Sequence, residues 1–379
     1  MNSFEISYNS KENNARVGIV TTPHGSFTTP AFMAVGTQGT VKGLTPEMIR
    51  RAGSEIILGN NYWLTLRPGL EVIKEAGGLH SFMSWYGPIL TDSGGYQVFS
   101  LSDIAKIRKD GVEFRSQLNG DKFFFSPKSV IRSQSIIGSD IMMPLDDCAK
   151  YPASRHEVEK SVERTSLWAE KCKESFLSYG KRSLSTKKEQ MLFGIVQGGV
   201  YKDLRERSCG EIVKTGFDGY SIGGVSVGEP RNMVRDIISF TSPLLPVDKP
   251  KYVMGLGDPA DLLHAVETGC DMFDCVIPTR HGRTGWLYTS EGLVVIRNAP
   301  YRNDFTPLDR QCSCYTCTNF SRAYLHHIFR SGEILSSILN SLHNLHFMIE
   351  LTRNLRIAIR NGTFKELKQK IYKSYYKSS

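Results

Sequence analysis

The sequence predicts an α/β chain folded as a closed (β/α)8 barrel, and three observations carry that expectation. Short apolar runs alternate with helix-like segments, eight such runs can be counted, and conspicuous polar residues stand where several of them end. Strands alternating with helices form a parallel sheet, and eight such units close into a barrel whose site is built at the C-terminal ends of the strands. An open doubly wound sheet is the rival, but no glycine-rich dinucleotide fingerprint follows the first run.

Taken in order, the first segment is FEISYNSKENNARVGIVTTPHGSFTTP, whose alternation and turn residues predict antiparallel strands that cap one end of the barrel. The runs follow as AFMAVGT from Ala31, EIILGN from Glu55, GPILTD from Gly87, DIMMPLDD from Asp140, MLFGIVQGG from Met191, GYSIGG from Gly219, KYVMGLG from Lys251 and MFDCV from Met272. Between them, Ser154 reads as the cap of a long helix, and Asp258 followed by proline as the start of another. From about Arg297 the composition shifts to cysteines, paired histidines and helical periodicity. The chain therefore divides into a capped barrel over 1–296, a metal-binding subdomain over 297–350 and a basic C-terminal helix over 351–379.

The net charge is +9, and after Glu350 eight Lys or Arg residues face the single acid Glu366, which makes a polyanionic partner plausible. No segment reads as a signal peptide and no apolar stretch approaches a membrane span, so a soluble, cytoplasmic protein is expected. The eight cysteines are scattered apart from Cys312, Cys314 and Cys317. That pattern suits a reducing compartment better than a disulfide framework.

Those three thiols in CSCYTC, with a histidine downstream, have the composition of a structural Zn²⁺ site: three thiolates and one imidazole complete a tetrahedron and leave no position for water. His343 is the preferred fourth ligand, with His326, His327 and His346 as competitors. Three unrelated buried cysteines would be the plain alternative.

Asp274 interrupts the apolar run DMFDCV, and Asp92 ends the run before SGGYQ. A buried carboxylate is unfavourable without hydrogen bonds or a chemical task. Two carboxylates facing one pocket suit reaction at an anomeric carbon, one as nucleophile and one handling protons. The plainer readings are a salt bridge from Asp274 to Arg280 and a helix cap at Asp92. In PLDDCAKYP, strand alternation turns Asp146 and Asp147 to opposite faces, so only one should line the pocket. With Gln197 and the close-approach glycines Gly223 and Gly224, it forms a donor and acceptor set for a purine-like edge.

Together these stretches resemble the tRNA-guanine transglycosylases, which exchange a guanine in tRNA for a 7-deazaguanine. The likeness runs through TPAFMAVGTQGTVKG, LGNNYWLTLRPG, LTDSGGYQVFSL, LNGDKFFFSP, FGIVQGG, YSIGGVSVGE, YVMGLGDP, DMFDCVIPTR and CSCYTC, in the family's order. The resemblance implies a TIM barrel with a zinc subdomain, Asp274 as nucleophile and Asp92 as general acid/base. It implies that Asp146, Gln197 and the Gly224 backbone, with Val225 and Cys148 beside them, bind the base, and that Tyr96 and Met254 sandwich its ring. It further implies Cys312, Cys314, Cys317 and His343 as zinc ligands, and a homodimer acting on tRNA with a GUN anticodon.

Arg280 and Arg283 follow the nucleophile and are expected to contact RNA, or else to pair with nearby carboxylates. Cys148 and Val227 resemble the bacterial type, which inserts 7-aminomethyl-7-deazaguanine. The chain departs from the family pattern at Asn61, Trp63, Leu145, Ser226 and Thr284, none of which carries a group assigned above. A retaining glycosidase, a zinc hydrolase and a noncatalytic tRNA-binding protein are the competing functions.

Overall fold

The computed structural model describes residues 2–101 and 105–376. Each of the eight apolar runs contains a barrel strand: β1 Ala31–Gly36, β2 Ile57–Asn60, β3 Ile89–Asp92, β4 Ile141–Met142, β5 Met191–Val196, β6 Gly219–Ile222, β7 Lys251–Val253 and β8 Met272–Asp274. All pair in parallel with their sequence neighbours, and β8 closes the ring by pairing Met272 with Ala31 of β1. Both faces of these strands are covered, which is why the runs read as continuously apolar rather than alternating. Met33, Leu58, Leu90, Ile141, Phe193 and Tyr252 fill the interior, while Phe32, Ile57, Ile89, Met142 and Leu192 pack outward against helices.

The expected N-terminal strands are Ser3–Asn9, Arg16–Thr22 and Gly25–Thr29, an antiparallel sheet whose Val20 and Phe27 join the barrel's interior cluster. They close the end where the strands begin. A second antiparallel sheet, Lys106–Arg108, Gly111–Arg115 and Lys122–Phe125, is inserted between β3 and β4 and was not anticipated. Its Phe114 and Phe125 lie 5.3 and 6.4 Å from the ring of Tyr62, next to the mouth of the barrel.

The helix starts follow the sequence. Ser154 and Glu157 form a reciprocal capping box on Arg155–Ser178, and Asp258 accepts the Ala260 and Asp261 N–H groups at the head of Pro259–Glu267. The C-terminal region is partitioned differently. Its apolar core begins upstream of residue 297, with Leu287 and Val294 of the hairpin Trp286–Thr289 and Gly292–Val295. The division expected at 350 falls inside one helix, Ile334–Asn361, because buried Leu351, Leu355 and Ile359 continue its apolar face and the turn comes only at Gly362. A second helix, Phe364–Tyr375, follows, and the last three residues of the basic tail, 377–379, lie outside the described residues. No helix among the described residues is long and apolar enough to cross a membrane.

Candidate active site

Three aspartates converge where the strands end. Asp92 is the last residue of β3 and Asp274 the last of β8, while Asp146 follows β4; Asp92 lies close enough to feel the charges of both others. None of the three makes a salt bridge among the described residues, and their partners are neutral donors.

Asp274 Oδ1 accepts the Tyr252 hydroxyl at 2.5 Å and the Gly255 N–H at 2.8 Å, whereas Oδ2 accepts from no protein group among the described residues. Burial pushes this carboxyl up against those two hydrogen bonds. Arg280 is exposed and forms no ion pair among the described residues, so the salt-bridge reading of Asp274 does not hold.

Asp92 accepts the Asn61 N–H at 3.1 Å on Oδ1 and the Asn60 amide at 2.6 Å on Oδ2, with Gln97 at 3.4 Å. The Asn60 amide is oriented by its own Oδ1, which caps the following helix by accepting the Trp63 N–H at 2.9 Å. Burial, reinforced by the charge of Asp274, pushes Asp92 up to about 7. The Gly95 N–H, which a capping role would give to Asp92, goes to Ser93 instead.

Alternation separates the adjacent pair. Asp146 turns inward, accepting Ser93 Oγ at 3.0 Å and Gln197 Nε2 at 2.8 Å, and burial pushes it up to about 6. Asp147 turns outward to Arg164, whose Nε donates to it at 2.7 Å. Gln197 in turn packs against the loop after β6. A Cβ at Gly224, whose φ is +59°, would stand 2.3 Å from Gln197 Oε1, so only glycine lets the loop approach so closely.

Val225 and Cys148 are buried beside this wall, and burial pushes the Cys148 thiol up to about 12, so it stays neutral. Met254 is half-buried against the barrel interior, and Tyr96 stands apart on the helix Gly95–Leu101, 49 % exposed. Arg283 donates to the Thr279 carbonyl at 2.9 Å and, like Arg280, pairs with no carboxylate among the described residues.

Sequence reasoning passed over Asn60, Ser93, Tyr252 and Arg205. Two signals were available: Asn60 ends β2 as Asp92 ends β3, and Tyr252 shares a strand face with Met254.

The cysteine cluster is assembled by the turn at Cys312–Cys317 and the helix Ile334–Asn361. The sulfurs of Cys312, Cys314 and Cys317 lie 3.7, 3.5 and 3.3 Å from His343 Nδ1. Ligand bonds of about 2.3 Å to sulfur and about 2.0 Å to nitrogen put tetrahedral S···N edges near 3.5 Å, so the four atoms fit one zinc ion. His343 Nε2 faces the Tyr288 carbonyl at 2.5 Å, the outer partner that orients a ligating imidazole. His326 is engaged elsewhere, with Ile296 O at 2.8 Å, and the set is Cys312, Cys314, Cys317 and His343. The same helix grips the segment after β8. Asn344 donates to the Pro278 and Trp286 carbonyls, and a Cβ at Gly282 would stand 2.7 Å from Ser341 N.

Fold and site together define a class: a barrel enzyme with paired carboxylates at its mouth and a closed Cys3His centre beside it. The model of the family described as queuine tRNA-ribosyltransferase matches residues 11–377. The chain belongs to that family, and is thereby a transferase of pentosyl groups. It is 53% identical to the queuine tRNA-ribosyltransferase of Thermoanaerobacter pseudethanolicus over 362 residues, 96% of this chain and 94% of that one. The enzymes of that name from Lysinibacillus sphaericus and Bacillus licheniformis are 50% and 51% identical, covering 98% and 96% of this chain and 96% and 94% of their own.

Proposed function

We propose that the protein exchanges guanine at the wobble position of tRNAs with a GUN anticodon for 7-aminomethyl-7-deazaguanine, a step in queuosine biosynthesis. The observation that carries this reading is the free Oδ2 of Asp274, held by two hydrogen bonds on the other oxygen and set beside a second carboxyl poised near neutrality.

The reaction is a double displacement. Asp274 Oδ2 attacks the ribose anomeric carbon while the C–N bond to guanine breaks, giving an ester between enzyme and RNA. Tyr252 and the Gly255 N–H fix the attacking group and leave its second oxygen unencumbered. Asp92, pushed up to about 7, can protonate the departing guanine and then take a proton from the incoming base as it attacks the ester carbon. One glycosidic bond replaces another, so neither water nor a nucleotide is consumed.

Asp146 accepts the N–H groups of the base edge, and Gln197 with the Gly224 and Val225 backbone completes the wall. Tyr96 and Met254 flank the ring, and the target base is extruded from a loop, where unstacking is cheaper than in a duplex. Cys148 beside Asp146 favours the aminomethyl base over queuine. Arg280 and Arg283, which pair with no carboxylate among the described residues, bind the flanking RNA.

Cys312, Cys314, Cys317 and His343 would hold one structural Zn²⁺, tying the cysteine turn to the helix Ile334–Asn361, and four protein ligands would leave no position for water. The working form is a cytoplasmic homodimer.

The deciding experiment incubates the protein with tRNA, labelled guanine and the candidate deazaguanines. Label should enter tRNA without hydrolysis, and the aminomethyl base should displace it best. Sugar hydrolysis without incorporation would favour a glycosidase, and tRNA binding without incorporation a noncatalytic role. Metal analysis of the purified protein should find one zinc per chain.

A further inference from the structure

One buried charge near the mouth has no role in the account above. Arg205, on the helix Lys202–Thr215, is wholly buried and pairs with no carboxylate among the described residues. Its guanidinium donates to four backbone carbonyls: Gly223 at 2.7 Å, Gly224 at 2.8 Å, Gly199 at 2.9 Å and Val196 at 3.3 Å. The acid whose charge reaches it, Glu229, is occupied with the Val227 N–H at 2.8 Å. A buried cation without a counter-charge is unfavourable, and an apolar side chain of like volume would fill the space at less cost. The guanidinium must therefore be retained for what its donors hold.

What they hold is the join between two strand ends. Val196 and Gly199 flank Gln197 at the end of β5, and Gly223 and Gly224 form the loop after β6. One turn further along the helix, Ser208 Oγ accepts the Gln197 N–H at 3.1 Å, so a single helical face sets both walls.

A trans peptide places its C=O and the following N–H on opposite sides. With the Gly223 and Gly224 carbonyls turned to Arg205, the N–H groups of Gly224 and Val225 are turned the other way. The Gly224 N–H lies against the sulfur of Cys148, two residues from Asp146, and the Val225 N–H has no acceptor among the described residues. Two successive donors turned to the side away from Arg205 can receive an acceptor atom such as a ring carbonyl.

We propose that Arg205 is a positioning residue for base selection: by fixing two carbonyls it presents the Gly224 and Val225 N–H groups to the carbonyl oxygen of the exchanged base. The inference rests on the base-exchange reading and assigns to this wall the base's acceptor, as Asp146 takes its donors.

The test measures incorporation of labelled guanine into tRNA by Arg205→Lys and Arg205→Met beside wild type and Asp146→Asn. Arg205→Lys keeps the charge but cannot span two carbonyls. Its KM for guanine should rise about tenfold while kcat and the KM for tRNA stay within about twofold, the pattern of a lost binding contact. Arg205→Met should raise the KM for guanine further.

An Arg205→Lys protein with wild-type KM for guanine overturns the inference, as does one that fails to fold by circular dichroism, since the role would then be structural. If Asp146→Asn raises the KM for guanine and Arg205→Lys does not, the inference alone falls. If wild type incorporates no guanine, the base-exchange reading falls with it.

Discussion

Aspartates are buried or half-buried at both ends of the barrel, and they keep different company. Where the strands begin, Asp271 meets the Arg16 guanidinium at 2.9 and 2.6 Å, and Asp140 is bracketed by His24 at 2.7 Å and His80 at 3.2 Å, with the Ile89 N–H at 2.9 Å. Where the strands end, Asp92, Asp146 and Asp274 have, among the described residues, amides, hydroxyls and N–H groups as partners.

The consequence for Asp140 and Asp92 is opposite. The hydrogen bonds and charges of the two imidazoles overcome burial and hold Asp140 at about 2, whereas burial wins at Asp92 and takes it to about 7. Burial also pushes Asp271 up despite the Arg16 guanidinium, so the ends differ in the kind of partner they supply: cationic or imidazole groups where the strands begin, neutral donors where they end, the arrangement expected of carboxyls that meet a substrate.

The harshest test of this contrast is Asp274→Asn. The amide is a poor nucleophile, so on the proposed mechanism exchange should vanish, as should the denaturation-resistant enzyme–RNA adduct expected of wild type. Binding of tRNA should persist. Wild-type exchange in this variant would make Asp92 the remaining candidate nucleophile.

On the proposed roles, Asp92→Asn keeps the attacking group and loses the proton carrier. Turnover should fall by roughly 10²- to 10⁴-fold, the usual scale for general acid/base catalysis. The adduct should still be detectable on denaturing gels. A variant that turned over normally would move the proton transfer to another group.

The adjacent pair offers a smaller and sharper comparison. Asp146→Asn should weaken base recognition by roughly 1 to 3 kcal/mol, seen as a raised KM for guanine, because one oxygen becomes a donor facing donors. Asp147→Asn should lose its bridge to Arg164 and some thermal stability, with the KM for guanine unchanged. Equal effects on KM would contradict the assignment of opposite faces.

Much of this was legible in the sequence because it depends on local order. The eight strands announced themselves as apolar runs, since both faces are covered, and strand alternation separated Asp146 from Asp147. Asp92 and Asp274 stood out as charges against apolar neighbours. What could not be read was the company each group keeps. Nothing near Arg205 in the chain reveals that its acceptors lie at Val196, Gly199, Gly223 and Gly224, or that Tyr252 turns its hydroxyl to Asp274 rather than to water. The inserted sheet was missed because its strands are three to five residues long and rich in charge. The barrel's frame follows from periodicity, whereas the donors that tune its carboxyls follow from closure of the ring.

The mildest prediction compares stability at the two ends through pH. Asp140 is held at about 2, below its ordinary 3.8, so it favours the folded state wherever the unfolded carboxyl is ionised, and that favour is lost only as pH falls through about 2. Asp140→Asn should therefore cost roughly 2 kcal/mol at pH 8, at about 1.36 kcal/mol per pKa unit, with kcat little changed. Asp92 has the reverse sign. Its folded value of about 7 lies above its ordinary 3.8, so between those values the folded state binds the extra proton and wild-type stability declines as pH rises. Asp92→Asn removes that decline. Relative to wild type it should gain on the order of 1 kcal/mol between pH 5 and pH 8, a figure reduced for the solvent that reaches the mouth. Denaturant titrations of the three proteins at both pH values measure the two effects together. If both Asn variants lost stability equally at pH 8, the mouth carboxyl would be as well satisfied as the one at the closed end, and the contrast between the two ends would be gone.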